Sequence, residues 1–168
     1  MSDTHGRELA ATVGSALAND FELFAQRVHA LTGPLSENEF WTRPYPYGNS
    51  IGHLVLHITG NLNYYVGSQI AGTGYVRNRP LEFADASRRP KQDVLRALDE
   101  AVAMVGTTVR AQSADDWKQP YSAVGLDLPN RFAAVLRCSE HFFHHLGQAI
   151  YLAREHARLQ SAASGDAP

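Results

Sequence analysis

Apolar residues recur at three- and four-residue steps in four long segments of the chain, which is the period of a helix with one buried face. These segments predict helices over about residues 7–31, 51–70, 90–111 and 130–158. Pro and Gly residues concentrate between them, which predicts long connecting loops. Strand-like alternation is confined to a short stretch near residues 121–128. The pattern therefore predicts an all-α fold, a four-helix bundle with long inter-helix loops.

Individual residues set the expected ends of these helices. Asn49 and Ser50 are favourable N-caps for the second helix, and Pro90 suits the first turn of the third. Residues 75–89 are polar, without a helical period, and are predicted to be irregular. The small polar residues 160–168 are predicted to form a disordered tail.

Composition narrows the class of protein. The chain has 168 residues, of which 15 are basic and 17 acidic, and no run of Lys or Arg marks a nucleic-acid surface. A single cysteine excludes a disulfide scaffold, and no stretch reaches the ~20 apolar residues of a membrane span. Without a signal-peptide core near the N-terminus, the expected location is the cytoplasm. We expect one domain over residues 1–168, with a small-molecule partner and neither nucleic acid nor membrane.

Two of the eight histidines share a face of the predicted fourth helix. His141 and His145 are four residues apart, so they lie roughly 40° apart on a helical wheel, one turn above the other. This spacing lets two imidazoles bind one metal ion. They lie beside the apolar face of that helix, whereas His144 is roughly 100° from His145 and is predicted to lie at the rim.

The predicted second helix offers a third imidazole. Its inner face carries Leu54, Ile58, Leu62 and Tyr65. His57 and Asn61 lie along one edge of that face, while His53, one turn earlier, lies nearer the polar side. His57 is therefore the better candidate for a third ligand.

A histidine on an apolar face can also be a core residue with a satisfied hydrogen bond, and this alternative stays open for each one. Three unpaired imidazoles buried together would be costly unless a metal ion held them. Three neutral ligands would leave a coordination position open, as in catalytic sites. Residues that could orient a ligand or shuttle a proton are Asn61, Tyr64, Tyr65, His144 and Gln148.

Two further features leave their interpretation open. Cys138 is either a fourth ligand or redox-sensitive thiol, or a small buried apolar residue. Arg77, Arg79 and Glu82 either bind an anionic end of a substrate or form an internal Arg79–Glu82 ion pair that shapes their loop.

Two segments resemble a known family. Residues 49–57 with Gly60 and Asn61, and residues 140–148, are similar to the signature segments of the DinB/YfiT-like superfamily, and residues 77–83 resemble a loop of one uncharacterised branch. The resemblance covers about residues 10–156. It implies a bacterial four-helix protein, often dimeric, that binds nickel or zinc through His57, His141 and His145. Some members are thiol-dependent transferases or isomerases that use bacillithiol or mycothiol.

A homodimer is also suggested by apolar residues opposite the predicted inner faces. Such stripes either contact neighbouring helices or form a two-fold interface, and we favour the interface. The residues concerned are Phe132, Leu136, Phe143 and Ile150 on the fourth helix and Val55, Val66 and Ile70 on the second.

The sequence thus supports a metal-dependent enzyme acting on a small molecule, such as a thiol S-transferase in detoxification. A low-molecular-weight thiol would be its co-substrate. The possible second-shell or substrate contacts are Asn61, His53, His144, Gln148, Tyr65 and Arg79. The alternatives are a non-catalytic metal- or ligand-binding stress protein and a helical dimer whose histidines bind no metal.

Overall fold

The computed structural model describes residues 2–84 and 88–164. Its elements in chain order are α1 (Ser2–Thr32), α2 (Glu37–Trp41), α3 (Ile51–Leu62), which continues as a π-helix (Asn63–Ala71), α4 (Arg79–Ala84), α5 (Lys91–Arg110), α6 (Ala114–Lys118), β1 (Tyr121–Ala123), β2 (Leu126–Leu128) and α7 (Arg131–Ser164). The all-α prediction is confirmed, with one antiparallel hairpin as the sheet content of the described residues.

The four long helices form a bundle around one hydrophobic core. Helix α1 packs against α5 and α7, and α3 packs against the same two helices, so α1 and α3 take opposite corners. This arrangement explains why the first two long helices need a long connection. The largest fully buried side chains include Phe21, Leu54, Ile58, Leu98, Phe142 and Leu146.

The second long helix begins as the sequence predicts. Ser50 is the N-cap of α3, and its hydroxyl accepts a hydrogen bond from the backbone N–H of His53. The His53 ring takes part in the same cap, with Nδ1 2.6 Å from Ser50 Oγ. All residues of α3 are buried, so this helix runs through the interior of the bundle.

Two predictions about irregular segments need correction. The polar stretch at residues 75–89 contains helix α4, held by the burial of Glu82 against α3. Residues 160–164, predicted to belong to a disordered tail, are helical because α7 continues through residues with good helix propensity such as Gln160 and Ala162. Residues 165–168 of that tail lie outside the described residues.

The two apolar stripes have different surroundings: one contacts neighbouring helices, and the other is partly exposed and could form a two-fold interface. Val55 and Val66 are buried inside the bundle, so the stripe on the second helix contacts neighbouring helices. On α7, however, Phe132, Leu136 and Phe143 are 38%, 41% and 56% exposed. A homodimer through this part of α7 stays a prediction, and light scattering at micromolar concentration tests it.

Within residues 2–84 and 88–164, no helix combines the length and the apolar character needed to cross a bilayer.

Candidate metal centre

Three histidine side chains meet where α3 packs against α7. His57 lies in the middle of α3, and His141 and His145 are one turn apart on α7. Their candidate ligand atoms all lie within 4.8 Å of one another. Nε2 of His141 is 3.1 Å from Nε2 of His57 and 3.1 Å from Nε2 of His145. The three ring nitrogens therefore converge on one point.

The partners of the opposite ring nitrogens determine which Nε2 atoms carry lone pairs. Nδ1 of His57 is 2.7 Å from a Glu82 carboxylate oxygen, and Nδ1 of His145 is 2.7 Å from the Gln148 carbonyl oxygen. Both oxygens only accept hydrogen bonds, so both Nδ1 atoms donate to them, and in the neutral form of each ring Nε2 then carries a lone pair. His141 Nε2 can carry at most one proton. That single proton would have to serve the lone pairs on Nε2 of both His57 and His145. A shared cation satisfies all three nitrogens, and hydrogen bonding does not.

The distances and protonation states fit a divalent ion. Zinc–nitrogen bonds of about 2.0–2.1 Å place tetrahedral ligand nitrogens roughly 3.3 Å apart, close to the two 3.1 Å separations from His141 Nε2. Burial, together with the neighbouring His145 and His57, lowers the pKa of His141 to about 3. Burial also lowers the pKa of His145, although its hydrogen bond to Gln148 opposes that shift. His141 and His145 are thus held neutral, as ligands must be.

A buried carboxylate supports the His57 ring from behind. Oε2 of Glu82 accepts the hydrogen bond from His57 Nδ1, and the Arg77 guanidinium donates to both Glu82 oxygens, at 2.6 and 2.8 Å. Burial raises the pKa of the Glu82 carboxyl, but the hydrogen bonds from His57 and Arg77 outweigh it, so the net pKa lies below its usual value. Glu82 is therefore an anion that fixes the tautomer and orientation of His57.

A cavity of about 200 Å³ opens beside the histidines. His57 and His141 form part of its wall, so a molecule inside it can reach the point where the Nε2 atoms converge. The π-helix supplies Tyr65 to the wall, and the Tyr121 hydroxyl donates to the Tyr65 carbonyl, which ties the β-hairpin to the same region. A π-helix displaces side chains from α-helical positions and is frequent at functional sites.

The family model of the DinB superfamily matches residues 20–149. The chain belongs to the DinB superfamily. Both signature segments lie inside the matched range, so the resemblance drawn from the sequence is confirmed. A comparison with curated proteins finds no significant match.

In this DinB-superfamily protein the other predicted site residues lie in three places: the cavity wall, the N-terminal cap of α3 and the exposed side of the histidine cluster. Asn61 lies in the cavity wall and is buried, with no hydrogen-bond partner for Oδ1 among the described residues. Arg79 lines the same cavity from the start of α4, its guanidinium 5.5 Å from the Phe83 ring centre. His53 instead packs its ring on Trp41, 5.4 Å between centres, and caps α3.

Gln148 and His144 lie on the outer side of the cluster. The Gln148 amide nitrogen is 3.2 Å from His144 Nε2, while its carbonyl oxygen faces His145. His144 is exposed, as its place on the wheel predicts. Both residues border a second cavity, of about 540 Å³, whose lining does not include Arg79. Gln148 thus orients the ring of His145, and the exposed His144 contacts Gln148.

Cys138 behaves as a small buried residue. It is 2% exposed in the wall of the first cavity, and burial raises its pKa to about 12. Without a bound cation, a thiol with such a pKa stays protonated at neutral pH. Across the described residues the candidate ligand group contains the three histidines alone.

The role of Glu82 was missed by sequence reasoning. The expected Arg79–Glu82 ion pair is wrong, because Glu82 pairs with Arg77 and orients His57. No periodicity marks Glu82, which lies 25 residues after His57 in a polar stretch. The available signal was an acidic residue flanked by arginines within a segment otherwise predicted to be loop.

Gly60 on α3 lies so close to the Glu82 side chain that a substitution there tests the packing of Glu82 behind His57. A Cβ at Gly60 would collide with Glu82 Oε1 and lie 2.9 Å from its Cδ, whereas a Cβ at Gly147 has no atom within 4 Å. We expect Gly60→Ala to lower the free energy of unfolding by about 1–3 kcal/mol, because it displaces a buried side chain. Gly147→Ala, also within a helix, should raise it by up to about 1 kcal/mol.

Denaturant unfolding of the two variants measures these effects. A Gly60→Ala protein as stable as Gly147→Ala would contradict the close packing of Glu82 on α3.

Proposed function

We propose that this DinB-superfamily protein binds one divalent metal ion through His57, His141 and His145 and uses it as a small-molecule enzyme. The supporting observation is the convergence of three imidazoles, in which His141 Nε2 lies 3.1 Å from Nε2 of His57 and 3.1 Å from Nε2 of His145. Nickel and zinc are the proposed ions, since imidazole nitrogen suits both.

The surroundings of the three histidines favour an open, catalytic type of site. Three neutral nitrogens leave the positive charge of an ion uncancelled, and the cavity beside them leaves room for a further ligand. A bound divalent ion lowers the pKa of a water or thiol that coordinates it. Glu82 and Gln148 hold the rings of His57 and His145 in place from behind.

The proposed reaction is transfer of a low-molecular-weight thiol to an electrophile, as in detoxification. The thiol loses its proton to solvent, and its sulfur forms a bond to an electrophilic carbon of the second substrate. The leaving group departs with the electron pair of the bond that breaks. This chain would supply the three histidines, their supporting residues and the cavity that positions both molecules.

Two measurements test the proposal. Elemental analysis of protein purified without a histidine tag should find about one nickel or zinc ion per chain, because three imidazoles form a single site. A panel of thiols and electrophiles with the metal-loaded protein should then show turnover that a chelator removes and added metal restores. Absence of metal overturns the metal site.

One observation favours a second candidate, a non-catalytic metal- or ligand-binding stress protein. Among the described wall residues of the cavity, none is a free general base, because His57 and His141 are the proposed metal ligands and burial raises the pKa of the Cys138 thiol. Glu82 lies outside this wall and is engaged behind His57. Stoichiometric metal without turnover in the panel would favour this candidate.

A further inference from the structure

Arginines dominate the charge of the cavity beside the histidines. Arg77, Arg79 and Arg137 line it, and no Asp or Glu does so among the described residues. The charge of Arg77 is cancelled by Glu82, through contacts of 2.6 and 2.8 Å. Arg137 pairs with Glu140 at 3.1 Å, but both side chains are more than half exposed, so this pair is weak and readily exchanged.

Arg79 has no such acidic partner among the described residues. Its guanidinium rests against the Phe83 ring, a contact that leaves its hydrogen-bond donors and its charge available. Guanidinium groups pair with carboxylates through two parallel hydrogen bonds, the strong type of charge-assisted contact. An uncompensated guanidinium at the cavity wall therefore provides a site for an anionic group.

Asn61 supplies an independent indication of a polar ligand. Asn61 is only 6% exposed, and its Oδ1 lacks a hydrogen-bond donor in the described part of the chain. A buried carbonyl oxygen without a donor has lost its hydrogen bond to water and gained none in return, which destabilises the folded chain. Because Asn61 is part of the same wall as His57 and Arg79, a ligand carrying an O–H, N–H or S–H group there would remove that cost.

The size of the cavity limits the ligand. Its volume of about 200 Å³ is below the ~300–1,000 Å³ typical of sites for drug-sized molecules. A compact molecule, or one end of a larger one, fits such a space.

From these observations we propose that the cavity takes a small carboxylate-bearing substrate. Its carboxylate pairs with Arg79, with Arg137 as the second cation, and its donor group faces Asn61 and the three histidines. A carboxylate suits the Arg79 guanidinium because each group presents two hydrogen-bonding atoms in one plane. The inference rests on the proposed metal-dependent function of the same site and assigns its substrate class.

The experiment compares two thiols of equal length on Co²⁺-loaded protein, with the d–d absorption bands of Co²⁺ as the measure of binding. The probes are 4-mercaptobutanoate, which carries a carboxylate, and 4-mercapto-1-butanol, which does not. In the unmodified protein the carboxylate probe should bind roughly fivefold more tightly, the upper end of the effect of an exposed ion pair, because Arg79 is exposed. In Arg79→Gln the two Kd values should agree within about twofold.

The control variant is Arg27→Gln, which removes an exposed arginine of α1 that does not line the cavity. It should keep the full preference for the carboxylate probe. Equal binding of both probes to the unmodified protein overturns the inference, and so does a preference that survives in full in Arg79→Gln, since the carboxylate would then pair with another cation and not with Arg79. If Co²⁺ does not bind at all, the proposed metal site fails and this inference fails with it.

Discussion

Each of the variants His57→Ala, His141→Ala and His145→Ala should lose stoichiometric retention of a divalent ion. Each ring supplies one of the three converging Nε2 atoms, and two remaining imidazoles make a much weaker site. Loss of a supporting residue alone typically lowers metal affinity 10–100-fold, so loss of a ligand should exceed roughly 100-fold. Elemental analysis after dialysis measures this directly.

A second readout of the same variants is thermal stability with added metal. Zn²⁺ or Ni²⁺ at 100 times its Kd should stabilise the unmodified protein by about 2.7 kcal/mol. The three variants should show little of this gain at the same metal concentration. The matched control is His29→Ala, because His29 is an exposed histidine of α1 that pairs with Asp99 and lies outside the ligand group. Full metal retention by an alanine variant of the three would refute the proposed ligand set.

Replacement of Glu82 should have the next largest effect on metal affinity and stability. It should separate the role of Glu82 as the ion-pair partner of Arg77 from its role in holding the His57 ring. Glu82→Ala removes the partner of Arg77, whose side chain is only 10% exposed, and breaking a buried ion pair on one side costs about 3–5 kcal/mol. It also removes the acceptor that holds the His57 ring, so metal affinity should fall 10–100-fold.

Glu82→Gln keeps the shape of the side chain and an oxygen that can accept from His57. Its loss of stability should therefore be smaller than that of Glu82→Ala, while the weaker acceptor still lowers metal affinity. The matched control is Glu22→Gln, which breaks an exposed pair with Arg110 and should cost at most about 1 kcal/mol without changing metal affinity.

Denaturant unfolding of the metal-free proteins and calorimetric metal titration measure the two quantities separately. A Glu82→Gln protein that unfolds earlier but binds metal as tightly as the unmodified chain would show that Glu82 has only a structural role.

The course of the second long helix shows where sequence reasoning succeeds and where it does not. Ser50 begins the helix as predicted, because N-capping depends on a few adjacent residues. Beyond Leu62, however, the helix changes to a π-helix, and Val55 and Val66, both opposite the predicted inner face, are buried because neighbouring elements cover that side as well. The wheel assumes a constant period, and packing against neighbouring helices overrides it.

What the sequence by itself determined was the set of long helices and the choice of His57, His141 and His145, because hydrophobic period and i, i+4 spacing are local properties of the chain. Only the tertiary structure decided that Glu82 supports His57, that Arg77 neutralises Glu82, and that Arg79 keeps its charge free in a cavity. These roles depend on how α4 folds back onto α3. That contact joins residues far apart in the chain, and nothing in the local pattern around Glu82 records it.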